Sequence, residues 1–211
     1  MKYLLCALVG YALGCISPSW MVSKLKHTDI QKSGTKNLGT TNTFIHFGKG
    51  WGSLVLFCDM SKAFLSVKLC GWLFPEFVLA GVVAGCMAVI GHIFPFYNHF
   101  RGGKGIASFG GFILATDIRC FLFLLIVGCI LSLIFNYGCS ISFTAAALFP
   151  FLYSAKIGSR LAFIFLVACS TVIICKHIEN IKKIRTGEER KIREFIKKYV
   201  FGGSRSHGEL R

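Results

Sequence analysis

Acidic residues are scarce in this chain. Asp and Glu together number 9, against 24 Lys and Arg, so 211 residues carry a net charge of +15. Apolar residues nevertheless make up 54% of the sequence, and the mean hydropathy is +0.63. These two properties conflict in a soluble domain but agree in a polytopic membrane protein with basic loops on one face. No nucleic-acid partner is expected, because no nucleic-acid-binding module accompanies the charge.

Motifs for metal, disulfide and nucleotide chemistry are missing as well. The chain has ten cysteines, but no two form a C-x-x-C pair, and all except Cys139 lie in or beside apolar segments. Thiols in such segments pack as small apolar side chains. A Walker A loop needs Ser or Thr after Gly-Lys, and here Gly105 follows Lys104. We therefore expect no metal site and no cofactor.

Long apolar segments recur along the chain and predict an all-α, polytopic membrane helix bundle. A membrane-spanning helix needs about 20 residues, and the first segment lacks a clear small-residue cleavage site, so we interpret it as retained. The fourth segment would reach only about 18 Å, so it is expected to be a half-helix supported by protein or a short, broken segment. The seven predicted spans are residues 3–22, 51–73, 77–94, 105–116, 118–135, 141–155 and 160–175.

The basic residues predict the orientation of these spans. Lys and Arg cluster after the first and third spans, and eleven of them lie from Lys176 onward, whereas the alternate connections hold only Arg119, Lys156 and Arg160. The positive-inside rule then places the N-terminus outside and the C-terminus in the cytoplasm, which requires the short fourth segment to cross. Residues 1–187 are predicted to form the membrane domain and residues 188–211 a cytoplasmic tail.

The tail combines apolar and basic residues at helical spacing. Ile192, Phe195, Ile196, Tyr199 and Val200 share one face, with Lys and Arg on the other. This pattern predicts a basic amphipathic helix over residues 188–201, suited to lying on an anionic leaflet. Residues 202–211 are expected to be disordered.

Three polar clusters interrupt the apolar chain, and the predicted topology places all of them on the cytoplasmic face. The first, residues 31–50, supplies neutral hydrogen-bond donors, although a solvated loop is the commoner alternative. The second is a loop of residues 102–105, where glycines and Lys104 favour an anion site with unpaired N–H groups. A tight turn in a basic loop is the alternative there. In the third, residues 176–189, His177 and Asn180 lie three apart on one helical face, and His177 could instead cap helix carbonyls.

Ionisable residues also occur within the apolar segments. Asp59 and Lys62 lie three apart in the second span, and we predict that they form a mutual ion pair facing the bundle interior. His92, near the end of the third span, is predicted to hold the 102–105 loop. Ser142, at the start of the sixth span, could face the same pocket as the polar clusters.

In this order and spacing, the three clusters resemble the motifs of the bacterial acyl-phosphate:glycerol-3-phosphate acyltransferase family, inner-membrane enzymes of phospholipid synthesis. The family's second motif, G-H-x-F-P-x-F-x-x-F-x-G-G-K-G, is the most specific, and only Tyr97 replaces a usual Phe. Asp59 and Lys62 match a D-x-x-K pattern. The residues at motif positions are Thr35, Lys36, Asn37, Gly39, Thr40, Thr41 and Asn42; Gly91, His92, Phe94, Pro95, Phe100, Gly102, Gly103, Lys104 and Gly105; and Lys176, His177, Asn180, Ile181 and Lys183.

The resemblance implies transfer of a fatty acyl group from acyl phosphate to the sn-1 hydroxyl of glycerol 3-phosphate, in the bacterial cytoplasmic membrane and among membrane lipids. It implies that Lys104, the 102–105 backbone and the 35–42 loop bind the phosphate of glycerol 3-phosphate. His177 and Asn180 would orient the hydroxyl or bind the acyl phosphate. The implied site residues are His177, Asn180 and Thr35 for catalysis and Lys36, Asn37, Gly39, Asn42, Gly102, Gly103, Lys104, Gly105 and Ser142 for substrate binding. A monomer is compatible with this site.

Three departures from the family pattern lie in or just after the first motif. Thr35 replaces Ser, Lys36 replaces Gly, and Ile45 stands where the family carries Arg. The missing cation could be supplied by Lys36 or by His46, although a lysine would not reproduce a bidentate arginine clamp. The alternative function is a multi-pass carrier or channel for an organic anion. The absence of an evident internal repeat and the position of the polar residues at one face argue against it.

Overall fold

A computed structural model describes residues 1–201 of the chain and contains helices but no strand in that range. The predicted all-α class is therefore confirmed, and the predicted disorder of residues 202–211 lies outside the described residues. The helices are α1 Lys2–Cys15, α2 Pro18–Leu25, α3 Thr40–Leu73, α4 Ala80–Ile93, α5 Ile106–Thr116, α6 Ile118–Phe135, α7 Cys139–Ile157, α8 Arg160–Lys176, α9 Ile178–Arg185 and α10 Ile192–Phe195, with 3₁₀ turns at Ile30–Lys32 and Phe96–Asn98 and a π-helical turn at Ile196–Phe201.

Several of these helices are long and apolar enough to cross a membrane. Four stretches qualify by length and composition, and α8 with α9 adds a fifth if this pair, bent by 41°, counts as one span. Helices α3 and α5 do not qualify by themselves. Helix α3 carries the charged residues Asp59, Lys62 and Lys68, and α5 has only 11 residues. The predicted number of seven crossings and the orientation of the termini stay predictions. The four stretches are Lys2–Leu25, Ala80–Asn98, Ile118–Phe135 and Cys139–Ile157.

The first predicted span is broken into two helices. The chain leaves helical geometry at Ile16 and Ser17, and α2 begins at Pro18. A proline disfavours helical geometry at the residue before it and lacks an N–H group, but it fits the first turn of a helix. The Ser17 hydroxyl then accepts a hydrogen bond from the Trp20 N–H at 3.3 Å and caps α2.

The first polar cluster is helical in its second half. Helix α3 begins at Thr40 and continues to Leu73, with one non-helical residue at Gly48, where φ is +82°. Glycine adopts this left-handed conformation without a steric penalty. Residues 26–39 therefore connect α2 to α3, a shorter connection than the residues 23–50 that lie between the first two predicted spans.

The tail folds back onto the bundle. In place of the single helix predicted over residues 188–201, the structure has the short α10 and the π-helical turn. The Ile192 N–H donates to the Asn136 carbonyl at 3.0 Å, and the Phe195 ring lies 6.2 Å from Phe44 of α3. The Lys191 ammonium donates to the Tyr137 hydroxyl at 2.6 Å. The described part of the tail thus contacts the α6–α7 turn and α3.

Close backbone contacts hold the helices that carry the polar clusters. A Cβ atom at Gly14 of α1 would lie 2.2 Å from the Ala88 carbonyl oxygen of α4, so only glycine allows this approach. A Cβ atom at Gly111 of α5 would lie 2.0 Å from the Met60 carbonyl oxygen of α3. The short α5 is therefore supported by protein, as the sequence predicted.

Candidate active site

The three polar clusters meet at one cavity. Its volume is about 230 Å³, and its wall includes residues from each cluster. None of the lining residues in the described part of the chain is acidic, whereas three of them are cationic. Such a cavity favours an anionic ligand. The lining residues are Gln31, Lys36, Asn37, Phe100, Arg101, Gly102, Gly103 and Lys176.

The 102–105 loop is tied to the end of α4. The Gly102 N–H donates to the Ile93 carbonyl at 3.0 Å, and the Gly103 N–H donates to the His92 carbonyl at 3.2 Å. The expectation of unpaired N–H groups at these two glycines is therefore wrong, because the turn consumes both donors. Gly105, with φ of +90°, then caps α5 in the left-handed region that suits glycine.

Gly103 is the point where the first two clusters touch. A Cβ atom there would lie 2.2 Å from His92 Nε2 and 2.4 Å from the Leu38 carbonyl oxygen. Any side chain at this position would force the 35–42 loop away from α4. Glycine is thus required by close approach.

Asn42 holds the 35–42 loop together. Its Oδ1 accepts from the Thr35 N–H at 2.8 Å, and its Nδ2 donates to the Ile30 carbonyl at 2.7 Å and to the Asn37 carbonyl at 3.1 Å. The residue is 1% exposed. Asn42 and Thr35 do not line the cavity, so the structure places Asn42 as a support for the loop that presents Asn37.

Lys36 has an unusual backbone. Its φ of +57° lies in the left-handed region, where a residue with a Cβ atom is disfavoured. This conformation explains on steric grounds why a glycine suits the position. Lys36 reaches the cavity wall, whereas Ile45 and His46 lie within α3 and do not line it. His46 Nε2 is instead 3.2 Å from the Ser33 hydroxyl.

A line of hydrogen-bonded polar side chains begins at Lys104, which follows Gly103 of the cavity wall in the sequence and does not itself line the cavity. The Lys104 ammonium donates to Asn180 Oδ1, and Asn180 Nδ2 donates to Glu189 Oε1 at 2.7 Å. Burial lowers the pKa of Lys104, while the nearby Glu189 and Glu179 carboxylates act in the opposite direction. Glu189 was missed by sequence reasoning; the available signal was an acidic residue inside a basic tail.

His177 lies just beyond α8, at the bend that leads into α9. Its Nδ1 is 2.8 Å from the Ile173 carbonyl oxygen. Because a carbonyl can only accept, Nδ1 carries the proton of the neutral ring and Nε2 holds the lone pair. Burial lowers the pKa of His177 to about 4, and the Lys104 charge contributes in the same direction. A neutral imidazole of this kind can accept a proton at pH 7.

The remaining predicted residues lie around these groups. Gly39 precedes α3, and its carbonyl accepts from the Thr43 hydroxyl at 3.0 Å. Ser142 is buried in the first turn of α7, next to Phe143, whose ring lies 5.8 Å from that of His177. Neither Gly39 nor Ser142 lines the cavity. Within residues 1–201, no three His, Cys, Asp or Glu side chains are grouped as metal ligands would be.

Comparisons with known proteins identify the family of this chain. A family model described as glycerol-3-phosphate acyltransferase matches residues 4–187. A glycerol-3-phosphate acyltransferase from Streptococcus thermophilus strain CNRZ 1066 is 36% identical over 198 residues, which cover 90% of this chain and 92% of the relative. One from Staphylococcus aureus strain bovine RF122 / ET3-1 is 31% identical over 201 residues, which cover 92% and 99%.

Solved structures are similar as well. The crystal structure of PlsY, an integral membrane glycerol 3-phosphate acyltransferase, in its glycerol 3-phosphate form matches with a TM-score of 0.82 at 29% identity, covering 90% of this chain and 96% of PlsY. The lysophosphatidic acid form matches with a TM-score of 0.79 at the same identity, covering 90% and 95%. This chain is thus a multi-pass membrane protein. It belongs to the glycerol-3-phosphate acyltransferase family.

Proposed function

We propose that this protein transfers a fatty acyl group from acyl phosphate to the sn-1 hydroxyl of glycerol 3-phosphate, forming lysophosphatidic acid and inorganic phosphate. The observation that carries the proposal is the meeting of all three polar clusters at one cationic cavity, whose lining residues Gly103 and Lys176 immediately precede Lys104 and His177 in the chain. Family membership supports the acceptor substrate. The likeness to PlsY in its glycerol 3-phosphate and lysophosphatidic acid forms supports the acceptor and the product.

The cavity supplies the phosphate site in this proposal. Lys36, Arg101 and Lys176 provide charge, and Asn37 provides an amide. The Lys176 ammonium lies 4.4 Å from the centroid of the Phe94 ring, a cation–π contact that helps to hold it at the cavity wall. Since the Gly102 and Gly103 N–H groups are consumed within the fold, these side chains bind the phosphate rather than the glycine backbone.

The reaction does not require a covalent intermediate on the protein. Acyl phosphate is already activated, so the sn-1 oxygen attacks the acyl carbonyl carbon directly, and the bond from that carbon to the phosphate oxygen breaks. The phosphate leaves with the electron pair. Lys104 stabilises negative charge on the carbonyl oxygen, and Asn180 orients Lys104. The hydroxyl proton passes either to Nε2 of His177 or to an oxygen of the substrate phosphate.

The location of the site fits a lipid product. We place the protein in the bacterial cytoplasmic membrane, in keeping with its Streptococcus and Staphylococcus relatives. An apolar groove between helices would hold the acyl chain, while glycerol 3-phosphate enters from the cytoplasm. The protein thereby joins a water-soluble acceptor to a membrane-bound donor.

Purified protein incubated with labelled glycerol 3-phosphate and an acyl phosphate tests this function. Labelled lysophosphatidic acid should form with acyl phosphate and not with acyl-CoA. Product from acyl-CoA alone would contradict the proposed donor. Failure of both donors, together with uptake of glycerol 3-phosphate into liposomes that contain the protein, would instead identify a carrier.

A further inference from the structure

Three ionisable side chains meet inside the bundle, away from the cavity wall. Lys62 Nζ lies 2.7 Å from Asp59 Oδ1, and His92 Nδ1 lies 3.1 Å from the same oxygen. None of the three side chains is more than 6% exposed, and none lines the cavity. The predicted ion pair is therefore present in the structure, with His92 as a third member. The reaction described above uses none of these groups.

The Lys62 ammonium has three polar neighbours within hydrogen-bond distance. It lies 2.6 Å from the Ile16 carbonyl oxygen, 2.7 Å from Asp59 Oδ1 and 2.9 Å from His92 Nδ1. His92 Nδ1 is within hydrogen-bond distance of both the Lys62 ammonium and Asp59 Oδ1. Lys62 thereby links the break between α1 and α2 to the last turn of α4.

His92 in turn contacts the 102–105 loop. Its carbonyl accepts from the Gly103 N–H at 3.2 Å, and its Nε2 would lie 2.2 Å from a Cβ atom at Gly103. Gly103 therefore contacts both the backbone and the ring of His92. Because Gly103 also lines the cavity, a shift of the His92 ring would move the cavity wall.

Stability alone is a weak reason for such a cluster. Burying charges costs free energy, and well-packed apolar residues can often replace a buried ion pair without loss. Ionisable residues at membrane depth are usually functional. A chain of contacts from Ile16 through Lys62 and His92 to Gly103 supplies a specific role, because it joins a helix break to a wall of the cavity.

We propose that Asp59, Lys62 and His92 form a positioning centre that sets the 102–105 loop against the cavity and so controls affinity for glycerol 3-phosphate. The proposal rests on the proposed function only in assigning the substrate phosphate to that cavity. The three residues are positioning residues, since none of them lines the cavity. Their removal should weaken substrate binding more than it slows turnover.

The double variant Asp59→Leu plus Lys62→Met tests the centre without leaving an unpaired buried charge. We expect a folded protein whose KM for glycerol 3-phosphate rises about tenfold, as for the loss of one well-placed hydrogen bond, with kcat changed far less. Ser66→Ala is the matched control. Ser66 is also buried on α3, donates to the Ala63 carbonyl at 2.8 Å and does not contact the loop, so its loss should leave KM unchanged.

Hydrogen exchange at the Gly102 and Gly103 amides gives a readout that does not depend on the reaction. Both amides donate to carbonyls of α4, and their protection should fall in the double variant but not in Ser66→Ala. A folded double variant with unchanged protection and unchanged KM would overturn the proposal. Lost protection with unchanged KM would also overturn it, because the centre would then position the loop without controlling affinity for glycerol 3-phosphate.

His92→Asn keeps the test decisive if the double variant does not fold. The shorter amide retains an acceptor for Lys62 near the position of Nδ1, but it removes the part of the ring that lies against Gly103. Protection of Gly103 should fall and KM should rise, with kcat little changed. A folded His92→Asn protein with native protection and native KM would refute the role of the centre.

Discussion

Lys104→Ala provides the sharpest test of the reaction centre. Lys104 donates to Asn180, which in turn donates to Glu189, so the substitution removes a cation and leaves an amide acceptor without its partner. Hydrogen bonds to charged groups contribute about 1.5–3 kcal/mol, which corresponds to roughly a ten- to hundredfold change in an equilibrium or rate constant. We expect kcat/KM for glycerol 3-phosphate to fall by about that factor.

The assay is steady-state formation of lysophosphatidic acid in detergent or nanodiscs, with thermal unfolding measured in parallel. Lys182→Ala is the matched control, because Lys182 is exposed on α9 and its loss changes the net charge equally. A folded Lys104→Ala protein with native kcat and KM would exclude Lys104 from the site. An equal loss in Lys182→Ala would show that general surface charge, and not a contact at the site, sets the rate.

Three further predictions follow from positions described above. Lys36→Gly should relieve the left-handed strain at residue 36 and stabilise the fold by roughly 1 kcal/mol, but it should lower activity. Adding Ile45→Arg should restore that activity. Purely additive effects of the two substitutions on activity would show that residue 36 is only a surface lysine. Gly14→Leu should prevent folding, because its side chain would collide with the Ala88 carbonyl, and a native unfolding temperature would contradict that packing. If neutral His177 accepts the proton, kcat/KM should stay flat as pH falls through 6.5. It should drop only as the pH approaches the His177 pKa of about 4, because folding lowers that pKa. An NMR titration of His177 with a midpoint near 6.5 would contradict this prediction.

The fold class could be predicted because its signals are local. Apolar length, basic loops and the shortness of the fourth segment are each visible within about 20 residues of sequence. The ion pair of Asp59 and Lys62 is local too, because residues three apart share a helix face. The helix break at Ser17 could have been predicted from Pro18, but the apolar residues on both sides of the proline indicated a continuous span.

Contacts between distant residues could not be predicted in the same way. Glu189 reaches Asn180 only because the tail folds back, and Asn42 supports its loop through carbonyls that are 5 to 12 residues away. The paired N–H groups of Gly102 and Gly103 depend on how the chain turns after Ile93. A glycine-rich sequence indicates a close approach of the backbone, but not whether a ligand or the protein itself takes the donors.

Glu189, whose carboxylate binds Asn180 in the line that starts at Lys104, comes after α1 to α8 in the sequence. Membrane proteins are synthesised from the N-terminus, so the helices that form the cavity are made before Glu189 is added. A nascent chain that has inserted α1 to α8 contains the cations of the cavity but lacks the carboxylate that orders Asn180. Cleavage between α9 and Glu189 would return the folded protein to that state, and we expect it to lower the rate of acyl transfer.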